Sequence, residues 1–424
     1  MVSVKRSGKI FRVFGIKVMN RFSLIRLSLV ITLAIVLAMP AGAATVSNRY
    51  SKSKSQTITE SARTKKKLSQ SRHSRPVAKS ATKRRSVKRA RYRHRYYERF
   101  TGNSYAENQT TGDVIAGEDP VVRQAAIDAL GNMNGTVVAV DPNSGRILAM
   151  VNQDLALSEG ATPCSTIKLS VALSALSEGI ITKETKINLG GGYRMNLTDA
   201  LAHSNNTFFE ILGRELGFEK VSYYAHQFGL GELAGYNIAG EHLGTYPTEE
   251  LDAKQGGVGK MCSFGESINM TPLQLAALVS AIANGGTLYY LQHPETPEEV
   301  TNFQPRVKRH LEIAAQIPEM LDGMAGAVHY GTARSVKYSF NEEEILGKTG
   351  TCSKDGVRFG WFASYANTQY GKIVTVVFLK GGRPTFGPKA AELSGHFYRE
   401  LYDKEFFAAK PAVLDRTGTV GATQ

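Results

Sequence analysis

Thr162-Pro163-Cys164-Ser165-Thr166-Ile167-Lys168 is the stretch around which this chain of 424 residues is organised. Threonine is a favourable helix N-cap, and proline suits the first helical position because it has no N–H group to leave unpaired there. A helix with a buried face is predicted to follow, because apolar residues recur at the spacing i, i+3, i+4 and i+7: Leu169, Ala172, Leu173 and Leu176. Ser165 therefore falls in the predicted first turn, where free backbone N–H groups and the helix dipole favour negative charge.

Lys168 follows Ser165 by three residues, which predicts that its amine lies on the same helical face as the serine hydroxyl. A hydroxyl becomes a useful nucleophile when a neighbouring base takes its proton, and a neutral lysine can be that base. The Ser-x-x-Lys pattern is not specific by itself, since it recurs at Ser51–Lys54 and Ser80–Lys83 within a basic, low-complexity stretch. A catalytic interpretation therefore requires partner motifs.

Two later motifs supply candidate partners. Ser204 and Asn206 form a Ser-x-Asn pattern at a predicted helix or its entrance, although serine and asparagine are also typical of helix caps and turns. Gly347–Thr351 reads Gly-Lys-Thr-Gly-Thr at the start of a predicted strand, where a lysine and threonines also suit an exposed edge. The glycine in this motif instead favours a ligand lying close to the strand backbone.

The folded region is predicted to begin and end with strands. Residues 136–141 and 146–152 predict a hairpin, and helical patterns then dominate to about residue 328, including an apolar helix capped by Thr271 and started by Pro272. The last predicted elements are strands at 345–352, 358–365 and 372–379 and a helix at about 388–402. Strands at both ends indicate a sheet assembled from distant parts of the chain.

The three motifs, taken in order, resemble those of the serine penicillin-recognising enzymes: Ser-x-x-Lys, Ser-x-Asn and Lys-Thr-Gly. Flanking stretches narrow the resemblance to the transpeptidase domain of penicillin-binding proteins, over about residues 120–405. These stretches are Val137–Pro142, Gly145–Met150, Phe228–Gly231, Gly240-Glu241, Thr271-Pro272, Ala283–Gly286, Gly331–Ala333 and Gly360–Ala363. The implied fold is α/β of the α+β type: a mainly antiparallel five-stranded sheet flanked by helices, with an all-helical lobe, as in β-lactamases and transpeptidases.

The resemblance implies a catalytic group of three residues. Ser165 would attack the carbonyl between two D-alanines, Lys168 would accept its proton, and Ser204 would relay that proton to the leaving amine. Lys168 must be neutral near neutral pH to act as a base, which requires burial and a nearby cation, and Lys348 is the candidate.

The resemblance also implies a substrate-binding set: Asn206, Lys348, Thr349, Gly350 and Thr351. Asn206 would hydrogen-bond the substrate amide, and the strand residues would receive the terminal carboxylate of the substrate or of a β-lactam. The backbone N–H groups of Ser165 and Thr351 would form the oxyanion hole. The sequence departs from the family pattern at two positions: Cys164 stands where glycine or alanine is most common, and Glu266 where glutamine is common.

The implied function is that of an exported D,D-transpeptidase, which cross-links peptidoglycan stem peptides through a serine acyl-enzyme, binds β-lactams covalently and needs no cofactor. Three alternatives stay open: a D,D-carboxypeptidase, a class D-like β-lactamase and a non-catalytic β-lactam sensor. No Glu-x-x-Leu-Asn pattern follows Asn206, which argues against a β-lactamase with that deacylating base. Polymerisation is expected to need a separate glycosyltransferase, since no such domain is recognised before the transpeptidase region.

Charge divides the chain unequally. The chain has 52 Lys/Arg and 37 Asp/Glu residues. Residues 1–100 hold 26 of the basic residues and 2 of the acidic ones, so the remaining residues, with 26 basic and 35 acidic side chains, carry a net charge of −9. Residues 45–110 form a basic segment with few aliphatic side chains, which predicts a disordered linker. Its expected partners are anionic lipid or wall polymer, with a solvated spacer as the alternative, and no specific nucleic acid is expected.

The N-terminus predicts export. Basic residues precede an apolar run over Leu27–Met39, and Ala41-Gly42-Ala43 suits cleavage before Ala44. Residues 1–44 are therefore a cleaved signal peptide or an uncleaved anchor, and the bulk of the chain is expected in the periplasm or another extracytoplasmic space. The remaining predicted boundaries are a transpeptidase domain over 111–409 and a flexible tail over 410–424.

Cysteine pairing stays open at this level. Cys164, Cys262 and Cys352 allow three single disulfides, and buried free thiols are an equal alternative. No Cys-x-x-Cys or His-x-x-x-His pair predicts a metal site.

Overall fold

The computed structural model describes residues 100–368 and 371–408. The predicted signal or anchor (1–44), the linker as far as residue 99 and the predicted tail (410–424) lie outside the described residues. No helix in the described ranges is both long and apolar enough to cross a bilayer.

The described residues contain nine strands. They are β1 Gly135–Val140, β2 Ile147–Val151, β3 Ile187–Asn188, β4 Arg194–Met195, β5 Thr287–Tyr289, β6 Val307–His310, β7 Glu344–Lys354, β8 Val357–Thr368 and β9 Gly371–Gly381. Five of them form the main sheet in the order β2-β1-β9-β8-β7, with every neighbouring pair antiparallel. The predicted five-stranded antiparallel sheet is confirmed, and the last strand, β9, pairs with the first, β1.

Ten α-helices and three 3-10 helices lie in the same ranges. The α-helices are α1 Pro120–Leu130, α2 Gln153–Ala156, α3 Lys168–Ser177, α4 Leu197–Ala202, α5 Asn206–Gln227, α6 Gly257–Phe264, α7 Pro272–Ala283, α8 Pro297–Thr301, α9 Ile317–His329 and α10 Gly387–Asp403. The 3-10 helices are Cys164–Ile167, Ala253–Gln255 and Arg334–Tyr338. Most helices lie between β2 and β7 in the chain, as the sequence predicts.

The start of α7 confirms the predicted Thr271 cap. The Thr271 hydroxyl accepts from the N–H of Gln274, and the Gln274 side chain accepts from the N–H of Thr271, which completes a capping box. Every residue of α7 is buried, as expected for a helix that is apolar on all sides.

Both faces of the main sheet are covered. Alternate side chains of a strand point to opposite faces, and β1 divides accordingly: Val138 and Val140 pack with the helical lobe, while Val137 and Ala139 pack with the opposite layer. The helical lobe supplies α3, α5 and α7, and the opposite layer supplies α1 and α10. The sheet is therefore the centre of a three-layer arrangement, and its edge strand β7 is left beside the N-terminus of α3.

The predicted end of the linker at residue 110 is too late, because residues 100–110 pack on the domain. The Ser104 hydroxyl donates to the carbonyl of Arg383 at 3.0 Å, and Tyr105 forms a bridge with Met133. The side-chain oxygen of Gln109 accepts from the N–H of Gly135 at 3.0 Å. These polar side chains are ordered by backbone groups that are far away in the sequence.

Candidate active site

The turn that carries Ser165 differs from the prediction. Cys164–Ile167 is a 3-10 helix, and the α-helix begins only at Lys168. Cys164 has a left-handed φ of 52°, which prevents a regular helix from starting at Pro163. The Thr162 cap is wrong: no side chain caps this turn, and the Thr162 carbonyl instead accepts from Trp361 Nε1 at 3.1 Å.

Lys168 lies where the spacing places it. Its Nζ atom is 3.0 Å from Ser165 Oγ, and the residue is fully buried. The same atom donates to the Ser204 carbonyl at 2.8 Å, to Ser204 Oγ at 3.1 Å and to Asn206 Oδ1 at 2.6 Å. Three donated bonds require the ammonium form, whereas the neutral amine has two N–H groups for these partners and a lone pair with which to accept the serine proton.

The Ser204 motif lies in the junction between α4 and α5. Ser204 has a left-handed φ of 55°, and Asn205 caps α5 by accepting from the N–H of Phe208 at 2.9 Å. The capping interpretation therefore applies to Asn205, whereas Ser204 and Asn206 both contact Lys168. With its oxygen occupied by Lys168, Asn206 presents its NH₂ group as the donor for another partner.

Lys348 connects the strand β7 to this group. The residue is fully buried, and its Nζ atom donates to Ser204 Oγ at 2.8 Å and to the Thr349 carbonyl at 3.0 Å. Ser204 Oγ consequently has a lysine amine on each side. Five of the predicted site residues, from three separate parts of the chain, are thus joined by hydrogen bonds: Ser165, Lys168, Ser204, Asn206 and Lys348.

The hydroxyls of Thr349 and Thr351 have protein partners. Thr349 Oγ1 is 2.6 Å from Thr332 Oγ1, and Thr351 Oγ1 accepts from the N–H of Gly387 at 2.7 Å. Thr332 belongs to the Gly331–Ala333 stretch that contributed to the resemblance, but the sequence assigned it no role. Its position beside Thr349 makes it a site residue that motif spacing did not reveal.

Gly350 explains why the strand can approach the nucleophile so closely. A Cβ atom at this position would lie 2.9 Å from the Pro163 carbonyl oxygen and 3.1 Å from Thr166 Cγ2. Real Cβ atoms essentially never come closer than 3.0 Å, so a side chain here would force β7 and the turn apart. The protein's own backbone is therefore a sufficient reason for a glycine at this position, and the close approach of a ligand to the strand stays a prediction.

The two lysines are both shifted towards the neutral form. Burial lowers the pKa of Lys168 well below its usual value, the charge of Lys348 lowers it further, and Glu210 acts in the opposite direction. Burial also lowers the pKa of Lys348, to about 7. Burial and a second cation are the two conditions that a lysine base requires.

The cysteines form one pair across the site. Cys164 and Cys352 are joined by a disulfide, with their Cα atoms 5.5 Å apart. Cys262 is a buried free thiol whose pKa burial raises to about 12, so it is held in its unreactive form. The signal for this pairing was present in the motifs, because one cysteine directly precedes Ser165 and the other directly follows Thr351.

Within the described ranges, no three or more His, Cys, Asp or Glu side chains are arranged to hold a metal ion. The chemistry available to these residues is attack by an activated hydroxyl, with proton transfer through Lys168 and Ser204.

Comparisons with known proteins place this chain in a family. The family model of the penicillin binding protein transpeptidase domain matches residues 135–402. Stage V sporulation protein D of Bacillus subtilis is 27% identical over 322 residues, which cover 62% of this chain and 48% of that protein. The peptidoglycan D,D-transpeptidase MrdA of Acinetobacter baumannii is 25% identical over 357 residues, which cover 66% and 52%.

The chain spans about half the length of these curated relatives. Among solved structures, Pseudomonas aeruginosa PBP2 in complex with WCK 5153 has a TM-score of 0.56 and 22% identity, over 73% of this chain and 78% of that one. This likeness shows that the two chains share a fold.

Proposed function

The chain belongs to the penicillin-binding protein transpeptidase family, and we propose that it is a peptidoglycan D,D-transpeptidase acting through a serine acyl-enzyme on D-Ala-D-Ala stem peptides. The observation that carries the proposal is the position of Lys168 Nζ, within 3.1 Å of both Ser165 Oγ and Ser204 Oγ. This arrangement joins a nucleophile, a base and a proton relay in one hydrogen-bonded group.

Acylation begins when Ser165 Oγ attacks the carbonyl carbon of the penultimate D-alanine. Lys168 Nζ takes the hydroxyl proton, and the carbonyl oxygen becomes an oxyanion held by the backbone N–H groups of Ser165 and Thr351. One such donor is worth roughly 10²–10³ in rate in comparable acyl transfer. Asn206 and the β7 residues Lys348, Thr349, Gly350 and Thr351 orient the substrate amide and its carboxylate.

The tetrahedral intermediate then collapses. The bond to the terminal D-alanine breaks, and its nitrogen receives the proton that Ser204 relays from Lys168. The amine of a second stem peptide attacks the resulting ester, forms the new amide and returns Ser165 to its hydroxyl form. A β-lactam undergoes the same attack and collapse: its ring C–N bond breaks and the ring nitrogen receives the relayed proton. The opened ring stays attached to the acyl group, so no leaving group departs and no acceptor amine replaces it.

The proposal also includes the location and partners expected from the sequence. The enzyme acts outside the cytoplasm, on stem peptides, and β-lactams are its covalent inhibitors. A separate glycosyltransferase polymerises the glycan strands, and the basic segment before residue 100 contacts anionic lipid or wall polymer.

Covalent labelling of the purified full-length protein by a fluorescent penicillin tests the assignment. Ser165→Ala should lose labelling. The control Ser339→Ala should keep it, since the Ser339 hydroxyl is hydrogen-bonded to the His396 ring. Labelling of Ser165→Ala at the wild-type level would end the proposal.

Incubation with donor and acceptor peptides, followed by mass spectrometry, identifies the reaction type. The expected outcome is a Ser165 acyl adduct and a cross-linked product. Release of D-alanine with hydrolysis alone would instead indicate a carboxypeptidase, and rapid turnover of nitrocefin would indicate a β-lactamase.

A further inference from the structure

The Cys164–Cys352 disulfide lies between the two halves of the site. Cys164 directly precedes Ser165 in the 3-10 turn, and Cys352 directly follows Thr351 on β7. Each half-cystine is thus the chain neighbour of one of the two residues whose N–H groups form the proposed oxyanion hole. A single covalent link therefore spans the two sides from which the donors come.

The backbone at Cys164 gives a reason for such a link. Its φ of 52° is unfavourable for a residue with a Cβ atom, and such conformations persist where the surroundings hold them in place. The Cys164 side chain is fully buried, and its Sγ atom lies 3.4 Å from the Thr162 carbonyl oxygen. The bond to Cys352 is the contact that attaches this strained residue to the sheet.

Non-covalent contacts between the turn and the sheet lie on both sides of Cys164 in the chain. Trp361 Nε1 on β8 donates to the Thr162 carbonyl, and Gly350 on β7 packs against the Pro163 carbonyl. Gly350 also lies close to Thr166, since an added Cβ would be 3.1 Å from Thr166 Cγ2. The disulfide joins β7 covalently to the residue directly before Ser165, in the turn that carries the nucleophile and its N–H group.

We propose that the Cys164–Cys352 disulfide is a positioning element, which fixes the distance between the N–H groups of Ser165 and Thr351 and thereby speeds acylation. The inference rests on the proposed acyl-transfer function and assigns a cause to the departure from glycine or alanine before the nucleophile. Donors that are held in place stabilise the oxyanion more than donors that must be ordered during the reaction. A displacement of about 1 Å in such a site can cost on the order of 10²-fold in rate.

A purely structural disulfide makes a different prediction. It would stabilise the fold by restricting the unfolded chain, since it closes a loop with a sequence separation of 188 residues. Its removal would then lower the melting temperature and leave the acylation step unchanged. A positioning role requires the maximal acylation rate to fall while the initial, non-covalent binding of the β-lactam stays the same.

The test compares oxidised and reduced forms of the full-length protein, purified without reductant. A dithiol reductant delivers two electrons and two protons to the sulfur atoms, is itself converted to a cyclic disulfide, and is removed anaerobically before the assay. Cys164→Gly introduces a residue that tolerates the left-handed backbone and removes the link together with the buried Cys164 side chain. Cys352→Ala removes the link from the other side, and Cys262→Ala is the matched control because it alters the buried free thiol.

Stopped-flow acylation by a fluorescent penicillin separates the maximal rate from the apparent dissociation constant, at a temperature where every form is folded. The reduced protein and both link variants should lose about tenfold or more in maximal rate, with the dissociation constant within about twofold. Reoxidation of the wild-type protein should restore the rate, and Cys262→Ala should match the wild type throughout.

Equal maximal rates for the oxidised and reduced proteins would overturn the inference, including the case in which only the melting temperature falls. Three free thiols in the purified protein would also overturn it. An absence of Ser165 labelling in both redox forms would refute the proposed function itself, and this outcome is distinguishable because it does not depend on the redox state.

Discussion

Lys168 and Lys348 donate hydrogen bonds to the same atom, Ser204 Oγ, at 3.1 and 2.8 Å. Both lysines are fully buried, and burial disfavours the charged form of each. Because each charge also opposes the other, protonation of one lysine favours the neutral form of its partner. The shared serine hydroxyl therefore lies between a base and a cation whose protonation states depend on each other.

Lys348→Met should shift the pH dependence of acylation. The substitution removes the second of the two causes that lower the pKa of Lys168, so this pKa rises towards its ordinary value. Lys168 acts as a base only when neutral, and the acidic limb of the acylation rate should consequently move to higher pH. Stopped-flow labelling between pH 5 and pH 10 measures the limb, with the surface variant Lys389→Met as the control. An acidic limb at the wild-type position would show that Lys348 does not tune the base.

Lys348 should also make the stability of the fold depend on pH. Its pKa is about 7 in the folded protein, against an ordinary value of 10.5. Between these values the unfolded chain binds the proton and the folded protein does not, so the free energy of unfolding rises with pH in this window. Urea unfolding from pH 7 to pH 10 should show the wild type gaining stability relative to Lys348→Met. A constant difference across the window would contradict the lowered pKa.

Thr332→Val should weaken the binding of β-lactams without changing the acylation step. The substitution keeps the branched shape and removes the hydroxyl that lies 2.6 Å from Thr349 Oγ1, which leaves the Thr349 hydroxyl without its orienting partner. A hydrogen bond of this kind is worth about 1 kcal/mol, or roughly fivefold in the apparent dissociation constant. Thr332→Ser retains the hydroxyl and should bind as the wild type does. A fall in the maximal rate with unchanged binding would indicate a different role for Thr332.

Gly350→Ala should impair acylation more than it impairs folding. The new Cβ would lie 2.9 Å from the Pro163 carbonyl and would push β7 away from the nucleophile turn. A displacement of about 1 Å at the reacting groups can cost on the order of 10²-fold in rate, whereas overpacking costs about 1–3 kcal/mol in stability.

Gly382→Ala is the matched control for Gly350→Ala. A Cβ added at position 382 would lie 2.9 Å from the Gly102 carbonyl oxygen, the same distance as that between a Cβ at position 350 and the Pro163 carbonyl oxygen. The crowding in the control involves residues 100–110 and not the nucleophile turn. The control should lose stability and retain its acylation rate once folded. Equal rate losses in the two variants would assign the effect to general destabilisation.

Local sequence patterns were sufficient to predict most of the fold. The hairpin at 136–152, the Thr271 cap and the three C-terminal strands each depend on alternation or capping within a few residues, and the structure contains all of them. The structure extends the strands beyond their predicted ends, since β8 covers Val357–Thr368 where the pattern covered 358–365. Cross-strand hydrogen bonding continues beyond the residues that face the apolar core. The apolar sequence pattern ends with the core, so it does not predict these additional strand residues.

The features that the sequence missed depend on contacts between distant residues. The Thr162 cap was wrong because the left-handed backbone at Cys164 prevents a regular helix from starting at Pro163, and Cys164 is bonded to Cys352, 188 positions later. The predicted end of the linker was too late because apolar residues do not recur at a regular spacing in residues 100–110. This segment is instead held by contacts with distant residues, such as the hydrogen bond from Ser104 to the carbonyl of Arg383. The cysteine pairing stayed open although both cysteines adjoin catalytic motifs, because the distance between those motifs depends on the assembled sheet.

The order of strands in the main sheet has a consequence for biosynthesis. β9 is the strand that joins the hairpin β1–β2 to the hairpin β7–β8, and it pairs with β1 from Gly135↔Leu379 to Val140↔Val374. Until β9 has been synthesised, β1 keeps one apolar edge unpaired, and such an edge invites association with other chains. A nascent chain that stops before β9 carries every motif residue from Ser165 to Thr351, yet it lacks the strand that unites the two hairpins into one sheet.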